Sequence, residues 1–303
     1  MHIAWWIGFF VGVLILLLLD LGLFNRRVHE IKMKEALLWS AFWITLSLAF
    51  NVLVYFQYGH ESAIQFLTAY FIEKSLSVDN LFVFVIVFNY FKIQGKYQHK
   101  VLFWGILGAM AMRLLFIYAG VELINKLHWI IYVFGFMLLI SSYKMFGNKD
   151  EASDLENNRV IRFVRSHMKV TKKIYGNRFF IKKNGIRLAT PLFVTLIVIE
   201  VSDIIFAVDS IPAVLSISRD TFIIFSSNIL AVLGLRSLYF ALKSMIDKFR
   251  YLHYGLAIIL GFVGIKMLMA DVYHIPIYFS LGFIVFILGL FIFVSIKIPQ
   301  AED

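Results

Sequence analysis

The sequence predicts an all-α polytopic membrane protein of about nine transmembrane helices, with two inverted three-helix repeats. Three observations carry that prediction. First, 61% of the 303 residues are hydrophobic and only 16% are charged, with a mean hydropathy of +0.82. Soluble domains average about 45–50% apolar and about 25% charged. Second, the apolar residues fall in separate runs, each near the roughly 20 residues that a helix needs to span a bilayer. Third, Lys and Arg gather in every other connection between the runs, as cytoplasmic loops do. The formal charge of +10 therefore reads as cytoplasmic retention signals rather than a nucleic-acid surface. Cysteine is absent, which excludes disulfides, thiolate metal sites and thiol catalysis.

The first run, Ile3–Phe24, lacks a basic leader and a small-residue cleavage site, so it reads as a retained helix. Asp20 sits near its inner end, and Arg26, Arg27, Lys32 and Lys34 follow, which places the N-terminus outside. A second helix is expected over 35–58. A loop at 59–62 without Lys or Arg follows, then a third helix over 63–91. Lys92, Lys96 and Lys100 mark the next inner loop. The fourth helix, about 101–121, contains Arg113, and the fifth, about 129–146, contains Lys144.

The connection 147–187 carries eleven Lys and Arg and is the strongest inner-loop signal. Within it, Val160, Phe163, Val164 and Met168 recur at helical spacing, as in an amphipathic surface helix. Residues 179–188 read as a hairpin turning at Asn184-Gly185. A plain solvated linker is the alternative for both. The sixth helix, about 190–211, stops near Pro212; the seventh, about 221–242, contains Arg236. Lys243, Lys248 and Arg250 are inner, and the eighth helix, about 251–270, contains Lys266. The ninth, about 277–296, ends at Lys297 inside, leaving the C-terminus cytoplasmic.

Carboxylates sit inside two of these runs. Glu73, Asp79 and Asn80 lie in the third, and Glu200, Asp203 and Asp209 in the sixth. A carboxylate at the centre of a membrane helix costs about 2.5–3.5 kcal/mol. Five together would cost on the order of 10 kcal/mol before partners offset it, so they read as a functional cluster. Aligning Asp79-Asn80 with Asp209-Ser210 puts Glu73 on Asp203, six residues earlier in each copy. Arg113 then falls on Arg236, and Lys144-Met145 on Lys266-Met267. Acidic helix, Arg helix and Lys helix thus occur twice in one order. Three spans is an odd number, so the copies face opposite ways, as in many transporters.

These repeats divide the chain into an N-terminal two-helix segment (1–62), a first repeat (63–146), a basic cytoplasmic loop (147–189), a second repeat (190–271) and a C-terminal helix with its tail (272–303).

Glu200 and Asp203 share a helix face, as do Glu73 and Asn80. Asp79 and Asp209 do not fit those faces on a straight helix. Either they meet a different neighbour, or the helix is interrupted and exposes carbonyls to a cation. Ser77 and Ser210 are weaker candidates, with local hydrogen bonds the plainer reading; Asp20 is weaker for its place near a helix end. All eight histidines fall in loops or near helix ends. An oxygen-only ligand set suits Mg, Ca or Mn rather than Zn or Cu, and protons or sodium remain alternatives. Arg113 and Arg236 are candidates to pair with the empty cluster, so that arginine pairing and cation binding compete. A static ion pair or snorkelling is the plainer reading.

The stretches Glu73-Lys74-Ser75-Leu76-Ser77-Val78-Asp79-Asn80-Leu81-Phe82-Val83-Phe84 and Asp203-Ile204-Ile205-Phe206-Ala207-Val208-Asp209-Ser210-Ile211-Pro212-Ala213 resemble the two signature motifs of the TerC/Alx family of integral membrane proteins. Glu200-Val201-Ser202-Asp203 departs mildly from that family's usual Glu-Ser-Thr/Ser-Asp but keeps both carboxylates. The resemblance implies a divalent-cation exporter of the plasma membrane with manganese as substrate, no resident cofactor and no catalytic residues. On the family pattern Glu73, Asp79, Asn80, Glu200, Asp203 and Asp209 hold the cation; carboxylates able to titrate between filled and empty states make proton exchange the expected coupling. A membrane scaffold supporting metalation or tellurite resistance is the competing reading. An intramembrane aspartyl hydrolase is the more distant one.

Overall fold

The computed structural model describes residues 3–24, 33–127, 129–147, 166, 168, 170–171, 173–183, 186–243, 251–273 and 275–297. It is a helical bundle with one small hairpin. The helices are α1 (Ile3–Phe24), α2 (Met33–Tyr90), α3 (Gly95–Lys126), α4 (Ile130–Gly147), α5 (Pro191–Leu215), α6 (Thr221–Leu233), α7 (Leu235–Lys243), α8 (Leu252–Leu268) and α9 (Ile277–Lys297). Five helical stretches are long and apolar enough to cross a membrane, and shorter apolar helices accompany them. Side chains such as Leu14, Leu38, Phe56 and Phe286 stand exposed on α1, α2 and α9. In a bilayer these face lipid, which costs nothing in hydrophobic terms.

The second and third predicted helices meet without the loop expected at 59–62. They join within α2 across a kink at Gly59, whose φ of 85° and ψ of 178° are open only to glycine. The sixth helix does not stop at Pro212 but continues to Leu215. Proline removes one N–H, and the freed carbonyl is tolerated where neighbouring protein replaces water. The seventh predicted helix is two, broken at Gly234. There the Lys74 ammonium, from α2, donates to the Ala231 carbonyl at 3.1 Å. A Cβ on Gly234 would lie 2.7 Å from the Lys74 Nζ and 3.1 Å from the Trp43 Cβ, so a side chain there would displace the lysine tip and crowd Trp43.

The hairpin forms as expected. β1 (Phe180–Lys183) pairs antiparallel with β2 (Ile186–Ala189), in the register Lys183↔Ile186 that a two-residue turn requires. The turn residues themselves lie outside the described set, as do Val160, Phe163 and Val164 of the expected amphipathic helix. α6 begins at a cap that sequence alone supplies: the Asp220 carboxylate accepts from the Phe222 and Ile223 amides at 2.9 and 3.2 Å.

Three pairings organise the bundle. α2 packs on α6 and α7, α3 packs on α5, and α4 packs on α8. One core joins the faces of α2, α5, α6 and α8 around Phe66, Ile72, Phe222 and Val263. A second lies toward the other end, around Phe88, Leu102, Leu192 and Tyr239. The polar centre sits between these apolar layers.

Candidate functional site

Arg113 is the largest fully buried side chain among the described residues, with no exposed surface. It comes from the middle of α3 and reaches between the two acidic helices. Its Nη1 donates to the Glu73 Oε1 of α2. Its Nε and Nη2 donate to Asp203 Oδ2 and Oδ1 of α5 at 3.3 and 3.1 Å. That is a two-point guanidinium–carboxylate fork, the geometry for which arginine is suited and lysine is not. Glu73 is 1% exposed and Asp203 4%, so neither charge has water as an alternative partner.

Neutral groups complete the shell. Asn228, in α6, accepts from Arg113 Nη1 at 3.1 Å and donates to Glu73 Oε2 at 2.9 Å. Asn80 donates to Asp203 Oδ1 at 3.4 Å, and Ser77 donates to Glu73 Oε1 at 3.3 Å. Residues from α2, α3, α5 and α6 thus meet at one buried point. Taking two carboxylates and a guanidinium out of water costs several kcal/mol per ion, which opposite charge and hydrogen-bond partners at each group offset.

The oxygen set is not fully used. The Asn80 Oδ1 is buried and has no hydrogen-bond partner, and the same holds for the Ser210 hydroxyl. Glu200, one turn before Asp203 on α5, lies flat against α3 at Gly108. A Cβ on Gly108 would fall 2.1 Å from the Glu200 Oε1. Glycine at that position is what lets the carboxylate occupy the helix interface.

Of the sequence-derived candidates, Glu73, Asn80, Ser77, Asp203 and Arg113 come together. Glu200 lies beside the cluster rather than in its hydrogen-bonded shell. Arg236 is buried on α7, but Arg113 is the arginine that joins Glu73 to Asp203. The backbone is helical at Asp79 and Asp209, so of the two alternatives an interruption at these residues is not found; their side chains, and that of Asp20, lie outside the described set. The interruption found instead is at Gly234. Among the described residues no three of His, Cys, Asp and Glu gather as a metal-holding group; the Arg113 guanidinium lies between Glu73 and Asp203.

Sequence reasoning missed two residues. Asn228 follows Ser226 and Ser227 within an otherwise apolar run, and that polar triplet was the available signal. Lys74 stands next to Glu73 with nothing in its spacing to set it apart, although its ammonium occupies the break at Gly234.

An arginine clamped between carboxylates of two helices, deep in a multi-span bundle, defines a polytopic α-helical membrane protein with a buried acidic centre. The chain belongs to the family described as "Integral membrane protein TerC family", which matches residues 58–303. It is 47% identical over 291 residues to a Myxococcus xanthus protein described as "Uncharacterized membrane protein STKORF319", covering 96% of this chain and 91% of that one. It is 44% identical to the Salmonella typhi protein described as "Putative membrane-bound redox modulator Alx", covering 98% of this chain and 95% of the relative. The Escherichia coli K12 protein of the same description is 43% identical, covering 98% and 96%. No solved structure matches the chain.

Proposed function

We propose that the chain exports a hard divalent cation, manganese in the first place, with Ca and Mg as the alternative substrates and protons moving in exchange. The observation that carries this is the Arg113 clamp. A guanidinium held by Glu73 and Asp203 is a tethered cation, occupying a set of oxygens that carries formal negative charge. When the guanidinium withdraws, two carboxylates and the spare Asn80 oxygen face one another, with Glu200 alongside. Asp79 and Asp209 belong to the same set on sequence grounds. Oxygen ligands of this kind suit Mn, Mg and Ca. Arginine and metal then compete for one place, and the protein is a transporter rather than an enzyme.

The inverted repeat is part of this reading. Its first helix packs on the second copy's second helix, its second on the second copy's first, and the two third helices pack on each other. That reciprocal pattern is what a two-fold relation generates. It extends to single contacts. Advancing by 122 residues carries Lys144 to Lys266, Gly135 to Ala257 and Ser142 to Gly264. A Cβ on Gly135 would lie 3.0 Å from the Gly264 carbonyl, and the Ser142 hydroxyl donates to the Ala257 carbonyl at 2.7 Å. Exchange of the copies turns one contact into the other. Residence in the plasma membrane with the N-terminus outside follows from the Lys and Arg distribution.

The relatives' description as redox modulators favours a second reading, a protein that acts on membrane redox balance. This chain has no cysteine, so such an effect would run through metal supply rather than through thiols of its own.

The test is cellular manganese content in cells expressing the wild type or Asp79→Asn, Asp203→Asn or Asp209→Asn, with membrane insertion verified. Wild type alone lowers accumulation. Equal lowering by correctly inserted variants would contradict the site.

A further inference from the structure

A second gathering of positive charge lies away from the central cluster. A cavity of about 430 Å³ opens at one end of the molecule, between α2, α4, α8 and the segment joining α5 to α6. Its size falls in the roughly 300–1,000 Å³ range of small-ligand sites. Lys266 and Arg219 line it, with no Asp or Glu among the described lining residues. Gln65, Ser216 and Ser218 add neutral polar groups, and Leu215, Met267 and Tyr273 give an apolar wall.

Lys266 is the telling residue. It stands in the last turn of α8, half-buried, and its ammonium donates to the Ser280 hydroxyl of α9 at 3.0 Å. Neither Lys266 nor Arg219 forms an ion pair among the described residues. An ammonium drawn partly out of water with only a hydroxyl to meet it is uncompensated. An anion in the cavity removes that cost, and the two like charges oppose entry of a metal cation.

We propose that this cavity binds a phosphate-type oxyanion, with Lys266 and Arg219 as its cationic contacts. The headgroup of an anionic phospholipid, whose phosphate no choline neutralises, and free phosphate share that chemistry, and the apolar wall suits the acyl-chain side of a lipid. The site is independent of the metal reading.

The absence of cysteine from the chain makes the test direct. Ser216→Cys puts one thiol in the cavity wall, and Lys126→Cys puts a reference thiol at an exposed position elsewhere. Modification by a neutral maleimide is timed in nanodiscs of phosphatidylcholine. It is timed again with added phosphatidylglycerol, and in phosphatidylcholine discs with inorganic phosphate at matched ionic strength. The Ser216→Cys rate, relative to the Lys126→Cys rate, is expected to fall several-fold with one of the two anions. The fall is expected to disappear in Arg219→Gln and Lys266→Gln backgrounds. Protection by phosphatidylglycerol identifies a lipid headgroup, and protection by phosphate a soluble oxyanion. No protection by either, or equal protection in both variant backgrounds, overturns the proposal. Arg219 is exposed, so its variant keeps the test readable if Lys266→Gln fails to fold.

Discussion

Removing the Arg113 guanidinium leaves Glu73 and Asp203 facing each other with no counter-charge and almost no water. Breaking a buried pair on one side costs about 3–5 kcal/mol. Arg113→Gln is therefore expected to lower the melting temperature in detergent markedly. Millimolar Mn²⁺ is expected to restore part of that loss, and to raise the wild type less, since in the variant no tethered cation competes. A melting temperature unmoved by the substitution would mean that the clamp does not hold the bundle. At this scale the sequence was a partial guide. Spacing brought out Glu73, Asp203 and Arg113 because a charge within an apolar run is visible by itself. Asn228 was not visible in the same way, since a lone amide in an apolar helix is distinguished only by what faces it. Its partner Glu73 lies 155 residues away along the chain.

The helices meet closely where side chains are small. α4 and α8 approach through Gly135 and Gly264, and a Cβ on Gly264 would lie 2.9 Å from the Gly135 carbonyl oxygen. Gly264→Val forces these backbones apart, at a cost of about 1–3 kcal/mol for an overfilled interface. Gly282→Val on α9 has open space around it and serves as the control. Thermal denaturation of both in one detergent is expected to separate them, with Gly282→Val near the wild type. Equal losses would point to β-branching or helix propensity rather than to the α4–α8 contact. Apolar runs located the helical stretches in order, because a bilayer demands a minimum apolar length whatever the neighbours, although two of them join in α2 and one divides into α6 and α7. Element ends were less legible. The turn at Gly59 needs only one residue at positive φ, Pro212 is carried inside α5, and the break at Gly234 depends on a lysine from a distant helix.

Across the whole molecule, one end is tied and the other holds a cavity. At the tied end Gln98 of α3 accepts from Tyr239 and Lys243 of α7 at 3.1 and 3.3 Å. At the other end lies the cavity flanked by Lys266 and Arg219. The acidic centre stands between them, reached by helices of both halves. The recurring order of charged positions stood out in the sequence, because charge in a membrane is costly. The sequence did not disclose the cavity, whose walls come from loops and helix ends with no shared pattern. Metal flux through purified protein in liposomes tests the role of the charged centre most directly. With a proton gradient imposed, wild-type vesicles are expected to move Mn²⁺ against its own gradient, and both Asp203→Asn and Glu200→Gln, folded and inserted, to move almost none. Flux equal to wild type in those two variants, or no Mn²⁺ movement by the wild type, would contradict the account.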